Sequence, residues 1–357
     1  MNIDFHYGII YIVSRLAELS PNDAEIVAHS CQYVDDATTN GILDFEGGET
    51  YERFASAHEM FDYDNLRNGQ NRVFWAPFHF LPAGIGQSLD EKAVCRPDSK
   101  VARAMIKRAI EERSAINALH RLGVSLHVYV DTWAHQGFSG VASDLNYVQS
   151  LSGDDHDNTR WLDKLEKFLS DFGHDVQSGI LDKVSKLGHG AALHFPDMPW
   201  AKWQYTNGKG ELIQRDNLPD FVEAANMACK AVRGYINSNP NFENEAGLSE
   251  AERGAIENLL ASNRSHDGDE RLKYICDALQ SGEIPKLKEQ IPRYIGKGHG
   301  SWKHIATGIE EQGDGDKQPK WSANFEESDY RKFHDAVKRH RFVVTQEILP
   351  THGVRLA

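Results

Sequence analysis

The sequence predicts a mainly α-helical protein, a multi-helical bundle carrying a helical C-terminal extension. Apolar residues recur at helical spacing along most of the chain, period-two alternation is scarce, and the polar stretches between them carry helix caps and breakers. No fixed-period repeat occurs, which excludes a solenoid. Residues 1–237 are expected to form a core domain and residues 238–357 an extension packed on it.

Taken in order, residues 5–18 are apolar with helical recurrence. Ser20-Pro21-Asn22-Asp23 then supplies an N-cap, a proline at the first helical position and an early acid, so a second helix should run over about 21–36. Residues 40–100 hold Gly47-Gly48, Pro77, Pro82 and the aromatics Phe74, Trp75, Phe78 and Phe80, and read as ordered loop. Residues 99–137 read as the longest helical stretch, in which Gly123 marks either a close helix contact or a short break. An amphipathic helix is expected around 159–172, and 186–205 is too rich in proline and aromatics for a simple helix. Further helices are expected at about 217–237, 249–262, 269–281 and 327–347.

Composition narrows the function classes. With 39 Lys plus Arg against 53 Asp plus Glu, the net charge is −14. That balance excludes coating of double-stranded DNA through a general basic surface. The four cysteines are widely separated and form no C-x-x-C pair, so neither a disulfide framework nor a thiolate zinc knuckle is indicated. The start of the chain lacks the basic region and small-residue cleavage site of a secretory signal. No run approaches the roughly 18 apolar residues of a membrane span. A cytoplasmic protein without integral membrane association is expected.

The 17 histidines carry the strongest signal, above all in HRLGVSLHVYVDTWAHQGFSG. At about 100° per residue, His127, Asp131 and His135 fall within roughly 60° of His120 on a helical wheel. A lone core histidine usually bonds a backbone carbonyl. Several imidazoles and a carboxylate on one apolar stripe are costly to bury unless a partner satisfies them together, and a divalent metal does so. Other candidates sit in comparable settings. His6 lies on the first helix, Asp35 and Asp36 end the second beside its negative dipole end, and His79 lies in the aromatic segment WAPFHFLP. His189, His194 and Asp197 occupy the 186–205 segment.

The order of these residues, an N-terminal His, an Asp, a His, then His-x3-Asp and a further His on a long helix, resembles the zinc-dependent phospholipase C and single-strand (P1-type) nuclease superfamily. Through HVYVDTWAHQGFSG, FHFLP and GHGAALHFPDMPWAKW the chain looks closest to an uncharacterised bacterial and fungal family of unknown function. The superfamily resemblance implies a phospholipase C/P1 nuclease-like helical bundle that holds up to three zinc ions and hydrolyses phosphoesters. It implies that His6 serves one ion, that Asp35 or Asp36 with His79, His127 and a bridging Asp131 serves a pair, and that His135 begins a third position. Two features depart from it. Secreted members use the amino group of a processed N-terminal residue, whereas Met1 is here followed by bulky Asn2 with no processing signal. The downstream His-x3-acid spacing occurs only at His266 and Glu270 in a polar stretch, so His189, His194 and Asp197 are the expected substitutes, and two ions are as credible as three.

The expected function is therefore a metal-dependent hydrolase, with zinc, or else Mn2+ or Fe, acting on a phosphoester of phospholipid, nucleotide or nucleic-acid type, a small-molecule or lipid substrate foremost, through a metal-bound hydroxide. Whichever of Asp35 and Asp36 is not a ligand is the candidate general base. Arg215 and Lys202 are candidates for phosphate contacts, and Trp75, Trp200, Trp203 and Tyr205 for pocket walls. Two other classes stand beside it: an HD-type nucleotide phosphohydrolase, although no His-Asp dipeptide occurs in the first 130 residues and His156-Asp157 and His266-Asp267 lie in polar stretches, and a non-enzymatic helical protein with structural metal. The oligomeric state is not legible.

Overall fold

The computed structural model describes residues 1–57, 71–153, 188–311 and 313–356. A π-helical turn, Asp4–Ile9, runs into α1 (Ile10–Leu16), and α2 (Pro21–Asp36) follows with Ser20 Oγ accepting from the Asp23 amide at 3.1 Å. A hairpin of β1 (Gly41–Asp44) and β2 (Thr50–Arg53) precedes α3 (Asn71–Phe78) and α4 (Leu89–Ala93). Then come α5 (Lys100–Glu111), α6 (Ala118–Ala134), β3 (Val148–Gly153), β4 (Lys202–Asn207), β5 (Leu212–Asp216) and α7 (Asn217–Asn237). The remainder comprises α8 (Glu250–Ser262), α9 (Gly268–Ser281), α10 (Trp302–Thr307), α11 (Ala323–Glu326), α12 (Asp329–Phe342), a π-helical turn (Val343–Ile348) and α13 (Leu349–Thr351).

The expectation of a purely helical bundle is corrected. Among the described residues about 53% are helical and 10% are strand, in a two-stranded antiparallel sheet β1-β2 and a three-stranded antiparallel sheet β3-β4-β5, so the fold is mixed α and β. The strands escaped the sequence reading because they are only four to six residues long. In β4 the period-two signal rests on two buried residues, Trp203 and Tyr205, next to the turn Asn207-Gly208-Lys209-Gly210. The 186–205 segment thus ends as a strand. The single helix expected over 99–137 is two, divided by turns at 112–117, and the 40–100 region holds a hairpin and two helices. The helix expected around 159–172 and His156-Asp157 lie outside the described residues.

Gly123 marks the close contact and no break. A Cβ there would meet Val27 O at 2.4 Å and Ser30 Cβ at 2.6 Å, so the missing side chain lets α6 lie directly on α2. One apolar core runs from Met1 and Phe5 through α2, α5, α6 and α7 to Leu279, Val344 and Leu356, which packs the residues beyond 237 onto those before it. Among the described residues, no helix is long and apolar enough to cross a membrane.

Candidate metal centre

The closeness of α2 and α6 brings their polar residues together in the core. Asp35 lies in the last turn of α2; His127 and Asp131, one turn apart on α6, face it; His135 is the C-cap of α6. His79 follows directly after α3, whose last turn contains Pro77. His6 comes from the first π-helical turn, and His189 and Asp197 from the segment leading to β4. His6, His79, His127, Asp131, His135 and His189 are buried, whereas the Asp35 side chain is 33% exposed and forms the open side.

Three subsets converge. His79 Nδ1 lies 3.7 Å from both Asp35 Oδ1 and Asp131 Oδ2, and His127 Nε2 lies 3.7 and 3.4 Å from the same two oxygens. Asp197 Oδ1 is 3.3 Å from His135 Nε2, and its Oδ2 is 3.5 Å from His189 Nε2. Asp131 Oδ1 is 3.2 Å from His6 Nε2 and 2.8 Å from the Met1 α-amino nitrogen, which also lies 3.1 Å from Asp197 Oδ1. The Met1 amine reaches the cluster because the helix begins within three residues of it.

Each of four imidazoles has its remote nitrogen against a backbone carbonyl: His127 Nδ1 to Cys31 O (2.8 Å), His135 Nδ1 to His79 O (2.7 Å), His79 Nε2 to Ser56 O (3.2 Å) and His189 Nδ1 to Leu193 O (3.2 Å). An N–H donated to a carbonyl fixes the tautomer and turns the other nitrogen's lone pair inward, as the outer shell of a metal site does. His127 Nε2 and His79 Nδ1 are only 3.3 Å apart. With both remote nitrogens protonated, two lone pairs face each other there, an arrangement that a shared cation relieves. His6 Nε2 is fully buried, with the Asp131 carboxylate beside it at 3.2 Å. The donor set of imidazole and carboxylate suits zinc or a neighbouring transition metal.

The electrostatics of the metal-free cluster follow from burial and from its three carboxylates. Burial opposes charge on the Met1 amine, but Asp131, Asp197 and Asp35 outweigh it and hold its pKa up, at about 11. Burial opposes the Asp131 and Asp197 carboxylates too; the amine and the imidazoles hold both well below the usual range. Burial and the charge of Asp131 push Asp35 well above it. Burial lowers His6 and His127, and His189 to about 4.

Other candidates fall elsewhere. Asp36 accepts from Tyr294 Oη at 2.6 Å and from Gln32 Nε2 at 3.3 Å, and lies outside the convergent subsets. His194 sits near His189 without joining the ligand atoms of the His135 subset. Arg215 binds the end of α6, donating from Nη2 to Trp133 O at 3.0 Å and from Nη1 to Gln136 O at 3.3 Å, with its guanidinium 5.4 Å from the Trp203 ring centroid. Lys202 pairs with Asp216 at 2.9 Å. Trp203 and Tyr205 stack in a core with Phe138 and Phe195, and Trp133 and Trp200 are buried. Trp75, half-buried, stands 5.3 Å from the His79 ring. His120, on the same stripe of α6, pairs with Asp329 at 3.0 Å.

Two further groupings lack the chemistry. Cys31 Sγ lies 3.6 Å from His6 Nδ1, but burial pushes its thiol well above the usual range and keeps it neutral. His299, His304 and Glu310 cluster at the surface, where His304 Nδ1 accepts the Gly300 amide at 3.0 Å. In neutral His304 the proton therefore sits on Nε2, the nitrogen facing Glu310.

A family model matches residues 1–348 of the chain. The chain belongs to DUF6765, a family of unknown function. No curated protein and no solved structure matches the chain. The blocks that define the cluster here, FHFLP, HVYVDTWAHQGFSG and GHGAALHFPDMPW, all lie inside the region matched to DUF6765.

Proposed function

We propose that this protein is a metal-dependent hydrolase of phosphoesters, with zinc as the leading ion. The observation that carries the reading is the pair of imidazole nitrogens, His79 Nδ1 and His127 Nε2, held 3.3 Å apart between Asp35 and Asp131 by carbonyls on their far sides. Asp35, His79, His127 and Asp131 would hold one ion; His135, His189 and Asp197 a second; His6, Asp131 and the Met1 amino group a third. Ions there would bring the pKa of bound water from 15.7 toward about 7 and neutralise charge on the attacking and leaving oxygens of a phosphoester. The order of donors supports a relationship to the zinc-dependent phospholipase C and single-strand nuclease superfamily, and the Met1 amine removes the main departure from it.

Asp35 lies at the one-third-exposed edge of the cluster, so in this reading it would hold its ion on the side open to substrate. Asp36, engaged by Tyr294 and Gln32, orients the end of α2. Trp75 beside His79 would wall the approach. Arg215 does not serve as the phosphate contact in this reading, because three backbone carbonyls around the end of α6 hold it. Open access at Asp35 favours a reactive site over a closed structural one. The HD-type reading finds no support in His266-Asp267, since Asp267 caps α9 through the Asp269 amide at 2.9 Å. All four cysteines are free thiols, in keeping with a cytoplasmic setting.

Elemental analysis of purified protein, followed by assay on phosphodiester, phosphomonoester and phospholipid substrates, tests the proposal. Two or three equivalents of Zn, Mn or Fe with hydrolysis of at least one class are expected. Metal-free protein that stays metal-free on dialysis against zinc would end it.

A further inference from the structure

The residue that holds the chain start in place lies outside the cluster. Arg271 on α9 is 2% exposed and grips Asp4 with two parallel bonds, Nε to Oδ2 at 2.7 Å and Nη2 to Oδ1 at 2.9 Å. Its Nη1 donates to Ser265 O at 2.7 Å, and the guanidinium lies 5.4 Å from the Trp200 ring centroid. Asp4 opens the turn that carries His6 and stands three residues after Met1; Trp200 stands three residues after Asp197. One guanidinium therefore touches the segment that carries Met1 and the segment that carries Asp197, whose carboxylate lies 3.1 Å from the Met1 amine.

Contacts along α9 extend the grip. A Cβ on Gly268 would lie 3.2 Å from Ile3 Cγ2, and one on Gly8 would lie 3.0 Å from Leu272 Cδ1, so α9 rests on the first eight residues at contact distance. Asn2 Nδ2 lies 3.5 Å from Asp197 O, linking the chain start to the second segment. Among the described residues of α9, none reaches the cluster.

A buried ion pair of this kind is a weak source of net stability, because desolvation of two charges offsets most of their attraction. Its two-pronged geometry fixes orientation instead. Chain starts fray unless tied down, whereas a metal site tolerates only about 0.5 Å of looseness in its donors. We propose that Arg271 is a positioning residue: through Asp4 and Trp200 it sets the Met1 amino group between Asp131 and Asp197, which makes the segment beyond residue 237 part of the site's framework. The functional meaning of this placement rests on the cation-binding reading above; the placement itself does not.

The test compares full-length wild type, R271K and the uncharged pair D4N/R271Q, with thermal melting as a check on folding. Two readouts are taken: the rate at which an amine-reactive reagent labels the Met1 α-amine in metal-free protein, and the stepwise zinc affinities. In D4N/R271Q, labelling is expected to accelerate at least about tenfold, and the weakest zinc step to loosen by about 10–100-fold while the tightest is kept, the range seen when outer-shell partners are lost. R271K, which keeps the charge and loses the fork, should fall between, and supplies the comparison if the pair variant does not melt cooperatively. Folded variants with wild-type labelling and wild-type zinc affinities would overturn the proposal. Wild type that binds no zinc, together with faster labelling in the variants, would sink the cation-binding reading and leave the positional role of Arg271 standing.

Discussion

Two regions of the molecule bury histidines equally well and use them differently. In the C-terminal segment, His340 donates from Nε2 to Pro77 O at 3.0 Å, and His334 Nδ1 lies 2.9 Å from Phe54 O. Both have a pKa lowered to about 4 by burial, and both hydrogen bond to backbone carbonyls rather than to carboxylates. Around Asp131, the imidazoles have the same carbonyl on one side, but their other nitrogens converge on three carboxylates and on each other. Burial alone therefore says nothing about ligation. Convergence of the second nitrogen does.

The comparison breaks most visibly at Asp131. D131N should lose the ions at the two positions that include Asp131 and leave hydrolysis at background, and the stabilisation of about 2.7 kcal/mol expected for wild type with zinc at 100 times its dissociation constant should be reduced. A D131N protein that still takes up the full complement of metal would make the cluster an ordinary polar core.

Acid should distinguish the regions next. The unfolded forms of His334 and His340 titrate near 6.5 and the folded forms near 4, so between these values the unfolded chain binds more protons and stability rises with pH. Lowering the pH from 6.5 to 4 should cost about 3 kcal/mol per histidine, read from chemical denaturation, and H340F should remove one share of that slope. A slope unchanged in H340F would mean that His340 is not buried neutral.

Packing gives a smaller effect. G123A drives a methyl into Val27 O and Ser30 Cβ and should destabilise by about 1–3 kcal/mol while also weakening metal uptake, because the same contact holds Asp35 opposite Asp131. Stability lost without any change in metal affinity would separate the helix contact from the site. The smallest effect is expected at the surface, where H299A should leave metal content and melting temperature unchanged.

Much of the site was legible in the sequence because its donors lie in strongly patterned segments. His127, Asp131 and His135 follow from helical spacing alone, and His6, Asp35 and His79 from polar residues in apolar surroundings. Asp35 and Asp36 could not be separated, since adjacent residues on a helix differ by about 100° and only the packing of α2 on α6 shows which one faces inward. Arg215 looked available for phosphate because nothing in IQRDN shows that β5 carries it to the end of α6. The fold was legible where helices are long and capped, as in α2 and α7. It was misread at β4, where Trp203 and Tyr205 read as aromatics of a loop. Arg271 had no local signature at all, because its partner Asp4 is 267 residues away.

The two oxygens of Asp131 serve different neighbours: Oδ1 faces Met1 and His6, and Oδ2 faces His79, His127 and His135. A carboxylate shares its charge between both oxygens, so whatever draws electron density to one side leaves the other a poorer donor. In the proposed cation-binding reading the two halves of the cluster are thus wired through a single functional group, so an ion taken up on one side is expected to change the affinity of the other.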